Sequence, residues 1–74
     1  MTAATVGDAV NAAEETGFPI VLKGLGSKLL HKTEMGLVHL DLRNGRDVRA
    51  AAASIQSNAG KDLDGFLVQP HVQG

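Results

Sequence analysis

The chain has 74 residues, of which 43% are hydrophobic, and it contains no cysteine, so it can form one small domain without disulfides and with marginal stability of its own. Its net charge of −1 and its lack of Trp and Tyr argue against nucleic acid as a partner, because nucleic-acid-binding domains present basic surfaces and aromatic platforms. No stretch approaches the roughly 20 apolar residues of a membrane helix, and the first residues lack the pattern of a signal peptide, so we expect a cytoplasmic protein without a membrane partner.

The first third of the chain predicts a helix and a strand. Thr5 is placed to cap a helix that should run from about Val6 to Thr16, and the glycine and proline that follow should end it. Residues 20–25 are then almost continuously apolar, which is typical of a strand that is covered on both faces. Lys23 is the one charged residue in this strand.

A long segment without periodicity, Gly24 to Gly36, separates this strand from the next and is predicted to be a loop. Long loops in compact domains are usually functional or mobile. The strand that follows, Leu37 to Leu42, alternates apolar and polar side chains, so we expect one exposed face that includes His39. The opposite face should bury three residues, Val38, Leu40 and Leu42.

The last part of the chain predicts a second helix and a third strand. Asn44 is placed to cap the helix, whose apolar residues recur at helical spacing to near Gly60, and Phe66 to Gln69 form a strand that Pro70 ends. This order predicts an α+β fold, α-β-loop-β-α-β, with a three-stranded, largely antiparallel sheet and two helices on one face. The direction of the third strand relative to the second stays open, because a helical crossover also allows a parallel neighbour.

Lys23 allows two explanations. A lysine near the end of a strand can extend its ammonium group to water, or it can meet an anionic ligand from within the sheet. Gly24 and Gly26 follow it, and glycines let a backbone approach a phosphate closely, which favours the second explanation. The spacing matches neither a Walker A loop nor a complete dinucleotide fingerprint.

The histidines suggest several kinds of chemistry. His31 and Lys32 can form a solvated loop tip or face a phosphate, and a histidine can accept a phosphoryl group near neutral pH. We expect no metal site, because His31, His39 and His71 lie far apart in the sequence. A hydrolytic triad is set aside because its members would crowd into one loop without orienting neighbours: Ser27, His31 and Glu34.

Four segments resemble the ATP-grasp region of the NDP-forming acyl-CoA synthetases, also called ADP-forming acetate-CoA ligases. The specific one is L-H-K-T-E-M-G at 30–36, and the others are G-F-P-I-V-L-K at 17–23, L-R-N at 42–44 and L-V-Q-P at 67–70. The resemblance covers essentially the whole chain, and it implies that residues 1–74 are one N-terminal ATP-grasp subdomain of a larger ligase. The sequence of residues 31–40, H-K-T-E-M-G-L-V-H-L, is similar to that of the family branch that activates feruloyl-type acids.

The resemblance also implies a set of binding residues. His31 matches the loop histidine that passes phosphate from ATP toward the acyl substrate, which makes it the candidate catalytic residue. The third strand would be the hinge that binds adenine through the Gln69 carbonyl and the Val72 N–H. The residues expected to hold the phosphates are Lys23, Gly24, Gly26, Lys32 and Gly36.

The implied cofactors are ATP and Mg²⁺, and the metal ligands would belong to a second subdomain beyond Gly74. The implied partners are that second ATP-grasp half and a CoA-binding domain, so the 74-residue chain is not expected to be active alone. The alternative is a stand-alone α+β module that captures an anion or a protein without catalysis. The succinyl-CoA synthetase type is disfavoured, because its basic glycine-rich loop has no counterpart between Lys23 and Leu37.

Overall fold

The computed structural model describes residues 1–30 and 34–72. The elements in chain order are β1 Thr2–Ala3, α1 Val6–Thr16, β2 Ile20–Leu25, β3 Val38–Leu42, α2 Gly45–Ala59 and β4 Gly65–Pro70. A 3-10 turn, Gly60–Asp62, follows α2 directly. The α+β fold class predicted from the sequence, with two helices on one sheet, is confirmed.

Both helices begin at the caps that the sequence predicts. The Thr5 hydroxyl accepts a hydrogen bond of 3.1 Å from the Asp8 N–H, and the Asn44 side-chain oxygen accepts one of 2.9 Å from the Asp47 N–H. Each bond satisfies an N–H group that the first helical turn leaves without an intrahelical partner. The helix bounds therefore follow from local sequence.

The four strands form one antiparallel sheet in the order β1-β4-β2-β3. Because β3 and β4 both run antiparallel to β2, they point in the same direction with β2 between them, which answers the question of strand direction that the sequence left open. The sheet has one strand more than predicted. This strand, β1, is too short to show a period of two, and it is extended by Met1 and Val68, whose backbones exchange hydrogen bonds of 2.8 and 2.7 Å.

Both helices pack against the same face of the sheet and against each other. The largest fully buried side chains are Phe66, Ile20, Leu22, Leu37, Ile55, Val48 and Val68. Six of the nine buried residues of the two helices are alanines, and their small size lets the helices lie close to the strands. The hydrophobic core therefore lies between the helices and one face of the sheet.

Because β3 contains a bulge, its burial pattern differs from the one predicted from the sequence. Ile20 pairs with Leu42 and Leu22 pairs with His39, so that two residues, Leu40 and Asp41, lie opposite the single residue Val21. Asp41 has a φ of 57°, the left-handed conformation found at such bulges. The prediction that His39 is exposed while Val38 and Leu40 are buried is wrong: His39 is half-buried on the helix side, and Leu40 is 61% exposed.

Candidate functional site

The face of the sheet that turns away from the helices carries the candidate site, and we call it the open face. Side chains alternate along each strand, so residues whose neighbours point into the core point to this face. No helix of the described residues packs on it. Its members are Val21, Lys23 and Leu25 of β2, Val38 and Leu40 of β3, and Leu67 and Gln69 of β4.

Lys23 occupies the centre of the open face. The strand register places it between Val38 of β3 and Leu67 of β4, so apolar neighbours flank its aliphatic stem on both sides. The side chain is half-buried, and no carboxylate among residues 1–30 and 34–72 pairs with its ammonium group. A cation without a counter-charge at the middle of an open sheet face is suited to an anionic ligand.

The two glycines after Lys23 have packing roles. Gly24 turns toward the helices, where an added Cβ would lie 2.9 Å from Cγ2 of Ile55, and its N–H donates to the Leu37 carbonyl at 2.8 Å. An added Cβ on Gly26 would overlap the carbonyl oxygen of Asp62 and press on Leu29. Close packing within the chain thus explains both glycines, and the N–H of Gly24 already donates a hydrogen bond to Leu37.

Substitution of Gly26 tests this packing role. We expect Gly26→Ala to lower the free energy of unfolding by about 1–3 kcal/mol, because the Asp62 backbone must move to admit the methyl group. The matched control is Gly7→Ala in α1, where the nearest atom is 4.0 Å away and the change should stabilise the helix by about 0.5–1 kcal/mol. Urea denaturation measures both, and a neutral Gly26→Ala would contradict the packing explanation.

The loop between β2 and β3 is anchored on both sides of the candidate catalytic residue. The Leu29 N–H donates to the Gly26 carbonyl at 3.1 Å in a tight turn, and the Leu29 side chain is buried. At the other end Leu37 is fully buried, directly after Gly36, whose φ of 71° favours glycine. His31 and Lys32, predicted to face phosphate, lie outside the described residues.

At the end of β4, the backbone N–H and carbonyl groups of successive residues point alternately toward β1 and toward β2. The N–H and carbonyl of Val68 bond to Met1 of the β1 side, whereas the His71 N–H donates to the Pro19 carbonyl at 3.0 Å on the β2 side. Backbone groups alternate in direction along a strand, so those of Gln69 face β2 opposite Val21. The carbonyl of Pro70, the last residue of β4, therefore points away from β2.

A cluster that the sequence did not predict lies beside this strand end. The Asp41 carboxylate is 3.2 Å from Nε of Arg43 and 3.8 Å from Nδ1 of His71. The cluster joins β3 to the residue that follows β4, across the start of β2. Asp41 reaches this position because the bulge turns it to the open face. An aspartate in a predicted alternating strand gives no sign of a bulge, so the sequence held no clear signal for this contact.

Across 1–30 and 34–72 no group of three or more His, Asp or Glu side chains is arranged to hold a metal ion. Neither helix in that part of the chain is long and apolar enough to cross a membrane.

The amino-acid sequence of the chain is similar to those of known proteins. Residues 1–74 match the family model described as ATP-grasp domain. The chain is 33% identical over 72 residues to a 4-hydroxybutyrate–CoA ligase (ADP-forming) of Nitrosopumilus maritimus, with 90% of this chain and 10% of that protein covered. It is 36% identical over 72 residues to a trans-feruloyl-CoA synthase of an unknown prokaryotic organism, again over 90% of this chain and 10% of that protein.

A solved structure shows the same fold at similar identity. It is the dinucleotide-forming acetyl-coenzyme A synthetase 1 of Ca. Korarchaeum cryptofilum in complex with coenzyme A, Ca-AMPCP and HgCl⁺, with a TM-score of 0.94 and 33% identity over 100% of this chain and 34% of that chain. The chain spans about one tenth of the length of the 4-hydroxybutyrate–CoA ligase and of the trans-feruloyl-CoA synthase. The family match over residues 1–74 and these likenesses show that the chain belongs to the ATP-grasp domain family.

Proposed function

We propose that the chain is the part of an ADP-forming acyl-CoA ligase that holds ATP on its open face. The observation that carries the proposal is Lys23, a cation at the centre of that face with no carboxylate partner among residues 1–30 and 34–72, in a domain of the ATP-grasp family. Two relatives named as CoA ligases or synthases and one acetyl-coenzyme A synthetase structure support the class of reaction. The chain covers only a small share of each, so the complete reaction belongs to a longer protein.

The phosphate end of ATP is proposed to lie over Lys23 and under the loop of residues 26–36. The ammonium group would stabilise the charge that develops as the terminal phosphoryl group leaves ADP, which is the main contribution a protein can make to phosphoryl transfer. Lys32, Gly26 and Gly36 stay candidates for further phosphate contacts. Gly24 is left out of this set, because its N–H bonds to Leu37.

The adenine end is proposed to lie at the exit of β4. An adenine edge needs one acceptor and one donor side by side, and we propose that the Pro70 carbonyl and the Val72 N–H, two residues apart in the chain, supply this pair. We therefore propose the Pro70 carbonyl as the acceptor in place of the Gln69 carbonyl, which faces β2. The Val72 N–H is kept as the donor, and the Val72 side chain is 82% exposed.

Magnesium would be held by residues outside this chain. The open face carries Lys23, Gln69 and apolar side chains, and the Asp41 carboxylate that the bulge brings to it is paired with Arg43 and faces His71, so the described residues offer no typical Mg²⁺ ligand set. Mg²⁺, when bound, would neutralise phosphate charge and order the terminal phosphates. Within this chain, Lys23 is the group that would meet the same phosphates from the opposite side.

The products of ATP turnover test the proposed function. The full-length protein that carries this chain should convert ATP, CoA and an organic acid into acyl-CoA, ADP and phosphate, and the test is to assay a panel of acids that includes acetate, 4-hydroxybutyrate and ferulate. Separation of nucleotides by chromatography identifies ADP as the expected product. Formation of AMP and pyrophosphate, or no ATP consumption with any acid, would contradict the proposal, and the second outcome would favour a binding module without catalysis.

A further inference from the structure

The contact between Asp41 and His71 links two strands that are not neighbours in the sheet. Asp41 lies in the bulge of β3, and His71 follows the end of β4, with the start of β2 between them. Oδ1 of Asp41 and Nδ1 of His71 are 3.8 Å apart. Both atoms are inaccessible to water. Oδ1 of Asp41 is paired with Nε of Arg43 at 3.2 Å, whereas Nδ1 of His71 has no hydrogen-bond partner among the described residues. Buried polar atoms of this kind are uncommon and call for an explanation.

His71 is held from two directions. Its N–H donates to the Pro19 carbonyl at 3.0 Å, and its ring, which is 22% exposed, faces the Asp41 carboxylate. In the sequence it stands between Pro70 and Val72, the two residues proposed to offer backbone groups to adenine. Any movement of His71 would therefore change the spacing and direction of the Pro70 carbonyl and the Val72 N–H.

We propose that Asp41 is a positioning residue for nucleotide binding, which fixes His71 and through it the backbone of residues 70–72. The inference rests on the proposed function and deepens it, because it names a residue that sets affinity for the adenine end of ATP without touching ATP. Arg43 orients the carboxylate from the exposed side, where its Nε and Nη2 atoms each lie 3.3 Å from Oδ2 of Asp41. The φ of 57° at Asp41 is what brings the carboxylate to the face where His71 lies.

The left-handed backbone makes the choice of variants important. Asparagine and glycine adopt this conformation readily, whereas alanine does not, so Asp41→Asn and Asp41→Gly remove the charge or the whole carboxylate while they preserve the bulge. Asp8→Asn is the matched control, because Asp8 is an exposed aspartate in the first turn of α1, remote in sequence from the cluster.

The test is steady-state kinetics of acyl-CoA formation by the full-length protein. We expect Asp41→Asn and Asp41→Gly to raise the KM for ATP by about tenfold with kcat within about twofold of the unmodified protein, and to leave the KM for CoA unchanged. The preference for ATP over GTP should fall as well, because a displaced hinge no longer distinguishes the purine edges. Asp8→Asn should match the unmodified protein in every parameter.

Two further variants separate the outcomes. His71→Gln should raise the KM for ATP by the same factor, and it takes the place of the Asp41 variants if these fail to fold. If Asp41→Asn does fold, its combination with His71→Gln should raise the KM no further. An unchanged KM for ATP in these variants overturns the inference. If Lys23→Met abolishes activity while the Asp41 and His71 variants have no effect, only the positioning role fails; if Lys23→Met also has no effect, the proposed function fails.

Discussion

Replacement of Lys23 by methionine is expected to lower the rate of ATP-dependent acyl-CoA formation by the full-length protein by about a hundredfold to a thousandfold. The change removes the ammonium group but keeps an unbranched stem of similar length between Val38 and Leu67, so the sheet should stay intact. The loss should appear in kcat and in the KM for ATP, because the charge contacts phosphate both in the bound state and during transfer. Initial rates at varied ATP concentration measure both parameters.

Lys61→Met is the matched control for this prediction. Lys61 is an exposed lysine in the 3-10 turn after α2, and its replacement changes the net charge of the chain by the same amount. Its kinetic parameters should stay within about twofold of the unmodified protein. If Lys23→Met behaves like Lys61→Met, then the centre of the open face does not bind phosphate.

Replacement of His31 by alanine is expected to lower acyl-CoA formation by about a thousandfold while the KM for ATP changes little. In the proposed reaction an imidazole nitrogen of His31 takes up the phosphoryl group and later releases it toward the acyl substrate, so its loss removes a covalent step but no ground-state contact. The kinetic signature thus differs from that of Lys23→Met. Transfer of radiolabel from γ-labelled ATP to the protein offers a second measurement.

The His31 prediction has its own control and its own refutation. Transfer of radiolabel from γ-labelled ATP to the protein should be lost in His31→Ala, because the residue that takes the phosphoryl group from ATP is gone. His31→Gln, which keeps the size and polarity of the side chain but cannot accept phosphate, should be as inactive as His31→Ala. Acyl-CoA formation within about twofold of the unmodified protein in either variant would remove His31 from the mechanism.

Local sequence was sufficient to predict the helices and most of the strands. Thr5 and Asn44 cap helices through hydrogen bonds that depend only on residues three positions away, so their spacing determines the helix starts. The apolar run of β2 is informative because β2 is an interior strand of the sheet. Ile20 and Leu22 are buried in the core, whereas Lys23 lies between Val38 and Leu67 on the open face, so the prediction that the strand is covered on both faces holds for the core side of this chain. Lys23 was identified because it interrupts that run.

The features that were missed depend on contacts between distant parts of the chain. The bulge at Asp41 places His39 on the same face as Leu42, whose predicted burial is confirmed, and only the pairing with β2 reveals this bulge. The packing roles of Gly24 and Gly26 could not be predicted from neighbouring residues, because the atoms of Ile55 and Asp62 that approach these glycines come from more than 30 residues later in the chain. The alternation at Pro70 likewise required the bonds from Val68 to Met1 and from His71 to Pro19.

The measurement that tests the central claim most directly is a crystal structure of the full-length protein with a non-hydrolysable ATP analogue and Mg²⁺. The proposal predicts that the analogue lies on the open face, with Nζ of Lys23 about 3 Å from a phosphate oxygen. The adenine edge should meet the Pro70 carbonyl and the Val72 N–H. A nucleotide bound elsewhere, with the open face in contact with protein only and Lys23 more than about 6 Å from every phosphate, would contradict it.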